Sequence, residues 1–176
     1  FLFLITNILV VLTVGLILNI LSAALGIRVG GGIWGLAIFC GIFGMAGAFI
    51  SLEISRWVAK RAYNIQLIDN RTQDYHAREI YEMVVRLSRQ AGLNTVPEVG
   101  IYSSQEPNAF ATGPSKDKAL VAFSTGIINS MNREELEAVT AHELTHITNG
   151  DMVTMTLLTG IANALVMFLA RLVAMA

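Results

Sequence analysis

The chain has 176 residues, of which 54% are hydrophobic and only 14% charged, whereas about 25% of the residues in an average soluble domain are charged. Its net charge of −1 argues against a nucleic-acid partner, because such proteins carry a basic surface. A single cysteine, Cys40, excludes a disulfide framework and a zinc site built from cysteines.

The charged residues are concentrated in the middle of the chain. Arg28 is the only charged residue within positions 1–52, and Arg171 is the only one after Asp151. Apolar ends around a polar middle are typical of a membrane protein. We therefore predict an α-helical membrane hairpin at residues 1–52, an α+β domain at 53–151 and a third membrane helix at 152–176.

Residues 1–27 carry no charge and are long enough to span a bilayer, for which about 20 apolar residues suffice. A cleaved signal peptide is the alternative, but the apolar stretch is longer than usual and a second one follows at once. This second stretch, residues 33–52, contains many small residues of the kind that let membrane helices approach closely.

The stretch 152–176 is also long enough to span a bilayer. Its polar residues, such as Thr156 and Asn163, leave a buried amphipathic helix as the alternative. Arg56, Lys60 and Arg61 follow the second apolar stretch, whereas only Arg28 precedes it. By the positive-inside rule, the polar domain is predicted to be cytoplasmic.

Within the polar domain, Asp74 precedes a predicted helix with apolar residues at helical spacing, which ends at Gly92. His76, in its first turn, is predicted to be an ordinary surface residue. The remaining pattern predicts strands at 97–102, 108–112 and 119–123, a turn at 114–117 and a short helix at 126–131.

The most informative stretch is Asn132 to Asp151, where His142 and His146 stand four residues apart with Glu143 beside the first. Asn132 and Glu135 form a capping-box pair, and Asn149-Gly150 is a helix stop, so the stretch is predicted to be one helix.

Residues i and i+4 share a helix face, so both imidazoles can bind one tetrahedral Zn²⁺. Glu143 is then placed to hydrogen-bond a water on the metal, an arrangement suited to peptide hydrolysis. The alternative is a pair of histidines hydrogen-bonded inside a helical core.

Two further features have open interpretations. The stretch Asn108 to Thr112 is either an ordinary strand of a small sheet or an edge strand that pairs with an extended peptide. Asp151 either holds an imidazole in its metal-binding tautomer or caps the following helix.

The chain resembles the HtpX family of bacterial membrane zinc endopeptidases in three features that follow in this order. They are the apolar hairpin, the sequence NAFATG at 108–113 and the sequence ELEAVTAHELTHITNGD at 135–151. The CAAX-processing endoproteases are more distantly similar. The resemblance implies His142 and His146 as metal ligands, Glu143 as general base, and Asn108 and Ala109 as substrate-binding residues. It also implies a zinc-binding helix on a small sheet, with one Zn²⁺ per chain.

The same resemblance implies four membrane helices in the bacterial inner membrane, a cytoplasmic active site, and cleavage of misfolded or damaged membrane proteins during stress. Its third metal ligand is a glutamate on a later helix, expected here beyond Ala176. The upstream carboxylates Glu79, Glu82 and Glu106 are better explained as surface and loop residues. The 176-residue chain is therefore predicted to be an incomplete, inactive protease by itself.

Two alternatives from other classes are a non-enzymatic membrane scaffold with structural histidines and a metallohydrolase that acts on a non-peptide substrate. Zinc content distinguishes the scaffold from the enzyme, because the scaffold needs no metal. Release of new peptide termini distinguishes the peptidase from the other hydrolase.

Overall fold

The structure is a computed structural model that describes residues 32–175, so the predicted first membrane helix at 1–27 lies outside the described residues. It separates into two compact units. One comprises residues 50–156, and the described part of the other comprises residues 32–49 and 157–175.

The elements follow in chain order, with five α-helices, four strands and one 3₁₀ helix among the described residues. They are α1 (Gly32–Ala62), β1 (Gln66–Ile68), α2 (Tyr75–Gln90), β2 (Glu98–Tyr102), β3 (Ala109–Thr112), the 3₁₀ helix (Lys116–Lys118), β4 (Leu120–Ser124), α3 (Thr125–Ser130), α4 (Arg133–Asn149) and α5 (Asp151–Met175).

The four strands form one mixed sheet in the order β1-β2-β4-β3. Strand β1 pairs antiparallel with β2, β2 pairs parallel with β4, and β3 pairs antiparallel with β4. Strand β3 is therefore an edge strand, as one of the two interpretations of residues 108–112 proposes.

One face of the sheet is covered by α2 and α4. The apolar cluster on this face combines side chains from the strands with side chains from both helices, among them Val84, Val99, Phe123, Leu144 and Ile147. Ala109 and Ala111 of β3 pack against the same cluster. Their small side chains leave room for α4 to lie against the edge strand.

The end of α1 and the residues after it contact the opposite face of the sheet. The ring of Tyr63 lies 5.1 Å from that of Tyr102 and 5.4 Å from that of Phe110, centroid to centroid. Glu98 Oε2 lies 2.6 Å from Lys60 Nζ and pairs also with Arg56. The sheet is thus enclosed on both faces, while the outer edge of β3 pairs with no further strand among residues 32–175.

The predicted helices and strands of the polar domain are confirmed, with shifts of a few residues at their ends. The Asp74 side chain accepts a hydrogen bond from Ala77 N at 3.1 Å and caps α2. Asn132 and Glu135 form the capping box at the start of α4, and Gly150 ends that helix with a φ of 76°. The short strand β1 and the parallel pairing of β2 with β4 were not predicted.

In the second unit, α1 and α5 approach each other closely at small residues. A Cβ atom on Gly44 would lie 2.6 Å from the backbone nitrogen of Ala164, and one on Gly160 would lie 2.6 Å from Met45 Sδ. Larger residues would force these helices apart. The small residues of 33–52 thus permit a close approach to α5, whereas the predicted hairpin with residues 1–27 lies outside the described residues.

Two helices among the described residues are long and apolar enough to cross a membrane: Gly35–Ala62 and Asp151–Val173. Large apolar side chains of α5 are exposed, including Ile161 at 61% and Val166 at 60%. This exposure holds among the described residues, and the alternative of a buried amphipathic helix for residues 152–176 stays open. That the stretch spans the bilayer remains a prediction from length and composition.

Candidate metal centre

Helix α4 brings His142 and His146 together on one side, one turn apart. Their Nε2 atoms are 3.2 Å apart, and the ring centroids are 4.7 Å apart with the planes nearly perpendicular. On the opposite side of the helix, Leu144 and Ile147 are almost fully buried in the core. The core contacts therefore fix the rotation of α4 that leaves the two imidazoles accessible.

The distance between the two Nε2 atoms matches that expected for two ligands of one zinc ion. Zn–N bonds of about 2.0–2.1 Å in a tetrahedral site separate two nitrogens by about 3.3 Å. The observed separation is 3.2 Å. A direct hydrogen bond between the rings has a similar length, so both sequence interpretations of the histidine pair fit this distance.

Asp151 lies against the other ring nitrogen of His146, with its Oδ2 atom 2.6 Å from Nδ1. The left-handed conformation of Gly150 separates α4 from α5 by one residue and so brings Asp151 back toward His146. An ionised carboxylate only accepts hydrogen bonds, so the proton lies on Nδ1 of His146. Its Nε2 atom then presents a lone pair to a metal.

Glu143 follows His142 directly and is half-buried. Successive residues of an α-helix are rotated by about 100°, so Glu143 lies about 60° around the axis from His146. Its carboxylate therefore leaves the helix on a side adjacent to the histidine pair. This is the position that a proton acceptor beside the metal requires.

Residues 32–175 contain no group of three or more His, Cys, Asp or Glu side chains placed to hold a metal. The upstream carboxylates are engaged elsewhere or exposed. Glu79 accepts a hydrogen bond from Tyr75 at 3.3 Å and lies 3.8 Å from Arg133. Glu82 and Glu106 are exposed. The described residues thus fit two zinc ligands, and they include no third.

The hydrogen bonds of Asn108 show which backbone groups of β3 are free. Ser124 N donates to Asn108 O at 2.9 Å, and Asn108 N donates to Ser124 Oγ at 3.0 Å. Residues of an antiparallel pair alternate between facing the partner strand and facing away from it. The N–H and C=O groups of Ala109 and Ala111 therefore point to the open edge.

The substrate-binding role of Asn108 and Ala109 stays a prediction. Ala111 is not among the predicted residues, although the period-2 alternation of a strand links the two alanines. The Asn108 side chain contacts the Tyr102 hydroxyl. Burial raises the pKa of that hydroxyl, and the contact with Asn108 acts in the opposite direction. The Asn108 side chain thus has a partner within the domain, whereas Ala109 and Ala111 offer free backbone groups.

A mixed sheet whose edge strand borders a helix with paired histidines and an adjacent glutamate defines a metallopeptidase-like domain. Residues 74–176 match the family model described as peptidase family M48. Among curated proteins, the chain is 51% identical to Protease HtpX of Aeromonas hydrophila, over 98% of this chain and 59% of the relative.

It is 49% identical to the Protease HtpX homolog of Bacillus licheniformis, over 100% of this chain and 62% of the relative. It is 48% identical to the Protease HtpX homolog of Bacillus subtilis, over 99% of this chain and 61% of the relative. The chain therefore belongs to peptidase family M48, and its similarity to the HtpX relatives confirms the resemblance predicted from its motifs. It spans about three fifths of the length of these relatives.

Proposed function

We propose that this chain carries the metal-binding helix and the substrate-binding strand of a zinc-dependent membrane endopeptidase. The observation that supports it most directly is the 2.6 Å bond between His146 Nδ1 and Asp151 Oδ2, which leaves the Nε2 lone pair of His146 for the metal. The separation of 3.2 Å between His142 Nε2 and His146 Nε2 is compatible with two ligands of one zinc ion. A third ligand, a glutamate beyond Ala176, completes the site in this proposal.

Each side chain then has a distinct role. His142 and His146 would hold the zinc ion, which when bound would supply a water of lowered pKa and a Lewis acid for the scissile carbonyl. Glu143 accepts a proton from the attacking water and later delivers it to the leaving amine. Asp151 holds the His146 ring in its orientation and tautomer.

The proposed substrates are peptide segments of misfolded or damaged membrane proteins. An extended segment pairs with the free backbone groups of Ala109 and Ala111, which extends the sheet by one strand. Two features favour this mode: the outer edge of β3 is open among the described residues, and α4 lies against the same strand.

The proposed location is the bacterial inner membrane, with several spans and the active site in the cytoplasm. The two long apolar helices and the basic residues Arg56, Lys60 and Arg61 support it. A reporter cysteine at the exposed Ser103 tests the orientation. In intact cells it should be shielded from a membrane-impermeant thiol reagent, and it should react after lysis; labelling in intact cells would reverse the orientation.

Zinc analysis and a peptide-cleavage assay, on the complete protein and on the 176-residue chain, test the function. The complete protein should hold one zinc per chain and release new peptide termini. The 176-residue chain should hold zinc weakly and be inactive. A complete protein without zinc would favour the scaffold, and bound zinc without peptide cleavage would favour the non-peptide hydrolase. Tight zinc and full activity in the short chain would place the third ligand within these residues.

A further inference from the structure

A groove beside His146 lies entirely within the unit of residues 50–156. Its volume is about 360 Å³, near the lower end of the range of about 300–1,000 Å³ for small-molecule sites. It is therefore large enough for one or two side chains of a peptide but small for a bulky cofactor.

The groove is lined mainly by apolar and hydroxyl-bearing side chains. They come from α1, β3 and the start of α5: Ser51, Leu52, Ser55, Ala111, Thr112, Met152, Met155 and Thr156. Asp151 is the only Asp, Glu, Lys or Arg that lines the groove among the described residues, and its carboxylate already accepts a bond from His146, which also lines it. The described lining thus contains no lysine or arginine to pair with an acidic side chain.

Two methionines give the groove an adaptable apolar wall. The unbranched thioether side chain of methionine fits apolar groups of different shapes. Met152 and Met155 lie in the first turns of α5 and line the groove together with Leu52 of α1. The groove can thus bury aliphatic side chains of a substrate that differ in shape, and this burial needs no charged partner.

The position of the groove relates it to the proposed peptide strand. Ala111, whose backbone groups face the open edge of β3, lines the groove together with Thr112. A peptide paired with this edge projects alternate side chains toward the two sides of the sheet. Since Ala111 and His146 line the same groove, a side chain projected on the side of His146 would meet it.

We propose that this groove is a specificity pocket for a large apolar side chain of the substrate, adjacent to the scissile bond. The proposal rests on the proposed peptidase function and adds a substrate preference to it. A hydrophobic pocket discriminates by about 10- to 200-fold for each methylene. Peptides with leucine or methionine at this position should exceed those with alanine in kcat/KM by at least about tenfold.

The decisive variant is Ser55→Leu in the complete protein, because it fills the groove. The Ser55 hydroxyl donates to Leu52 O at 2.7 Å within α1, so its loss leaves no buried donor unpaired. The ratio of kcat/KM for the leucine peptide over the alanine peptide should fall at least about tenfold. The matched variant Ser103→Leu, at an exposed position outside the groove, should leave the ratio unchanged.

A binding measurement supplements the kinetics. In a Glu143→Ala background, the affinity for the leucine peptide should fall at least about tenfold when Ser55→Leu is added. An active enzyme whose side-chain preference does not respond to Ser55→Leu would overturn the pocket alone. A preference for lysine or arginine at this position would also overturn the apolar pocket, because it would show that the groove binds basic side chains through Asp151. Zinc binding without any peptide cleavage would overturn the peptidase function, and the pocket with it.

Discussion

Helices α2 and α4 lie against each other on one face of the sheet, and each presents a histidine near a carboxylate. In α2, the His76 side chain is 85% exposed and its Nδ1 atom is 3.9 Å from Glu79. At the end of α4, the His146 side chain is 44% exposed and its Nδ1 atom is 2.6 Å from Asp151. The same pairing is a loose surface contact in one helix and a close, directed bond in the other.

The second ring nitrogen makes the difference in chemistry. The Nε2 atom of His146 faces the Nε2 atom of His142 at 3.2 Å, whereas His76 has no second histidine within its own helix. A histidine–carboxylate pair alone thus does not indicate a metal site. The proposed metal site adds a second histidine beside the opposite ring nitrogen, and α2 therefore supplies matched controls for α4.

The largest effect is expected for His146→Ala in the complete protein. Zinc should be lost, and proteolysis with it, because the remaining two protein ligands hold the ion far less well than three. Elemental analysis of the purified variant measures the metal. His76→Ala should keep full zinc content, and zinc that survives in His146→Ala would remove this residue from the ligand set.

Glu143→Ala should lower kcat by about 10²- to 10⁴-fold, the usual contribution of a general base. Zinc should remain bound, because Glu143 is not among the proposed ligands. Steady-state kinetics with parallel zinc analysis separate the two effects. Glu82→Ala, an exposed glutamate of α2, serves as the control; a comparable kcat in both variants would exclude Glu143 as the base.

Asp151→Asn should weaken zinc binding by about 10- to 100-fold, the usual cost of losing a carboxylate that orients a metal-binding histidine. Competition with a chelator measures the affinity in the complete protein. Glu79→Gln removes the charge from the looser pair in α2 and should leave the zinc affinity as it is. Equal zinc affinities in the two variants would favour the alternative role of Asp151, that of a cap at the start of α5.

The smallest effect concerns the ion pair that joins the two helices. Arg86 of α2 donates two hydrogen bonds to Glu137 of α4, at 2.9 and 2.7 Å. They lower the pKa of Glu137 below its ordinary value. The pair therefore stabilises the fold above that ordinary pKa, and this contribution is lost as the pH falls through the lowered one.

Glu137→Gln should accordingly be less stable than the original chain at neutral pH, by a small amount because both side chains are partly exposed. Its free energy of unfolding should also fall less on acidification. Denaturant unfolding at several pH values measures both quantities. Identical pH dependence in the two proteins would show that Glu137 contributes nothing through this pair.

The parts predicted correctly depend on neighbours in sequence. The capping box of Asn132 and Glu135 and the stop at Gly150 are local signals, and they fix the ends of α4 within a residue. The i, i+4 spacing of His142 and His146 likewise follows from helix geometry alone. The residues of the candidate site were therefore accessible from the sequence.

The missed parts depend on contacts between distant residues. Strand β1 has three residues, too few for an alternating pattern, and it exists through its pairing with β2. Helix α1 continues to Ala62, ten residues beyond the end of the predicted apolar stretch. The residues there include Arg, Lys and Ala, whose helix propensities are as high as those of the apolar helix formers. The outward direction of Ala111 follows from the register with β4, which no local pattern reveals.

The single-residue junction at Gly150 also determines where the molecule can be shortened. A fragment that ends at Asn149 would retain both histidines and Glu143 but lose the carboxylate that orients His146. It would also lose Met152 and Met155, one wall of the groove. A water-soluble version of the unit of residues 50–156 must therefore keep the first two turns of the apolar helix α5, with polar substitutions only beyond them.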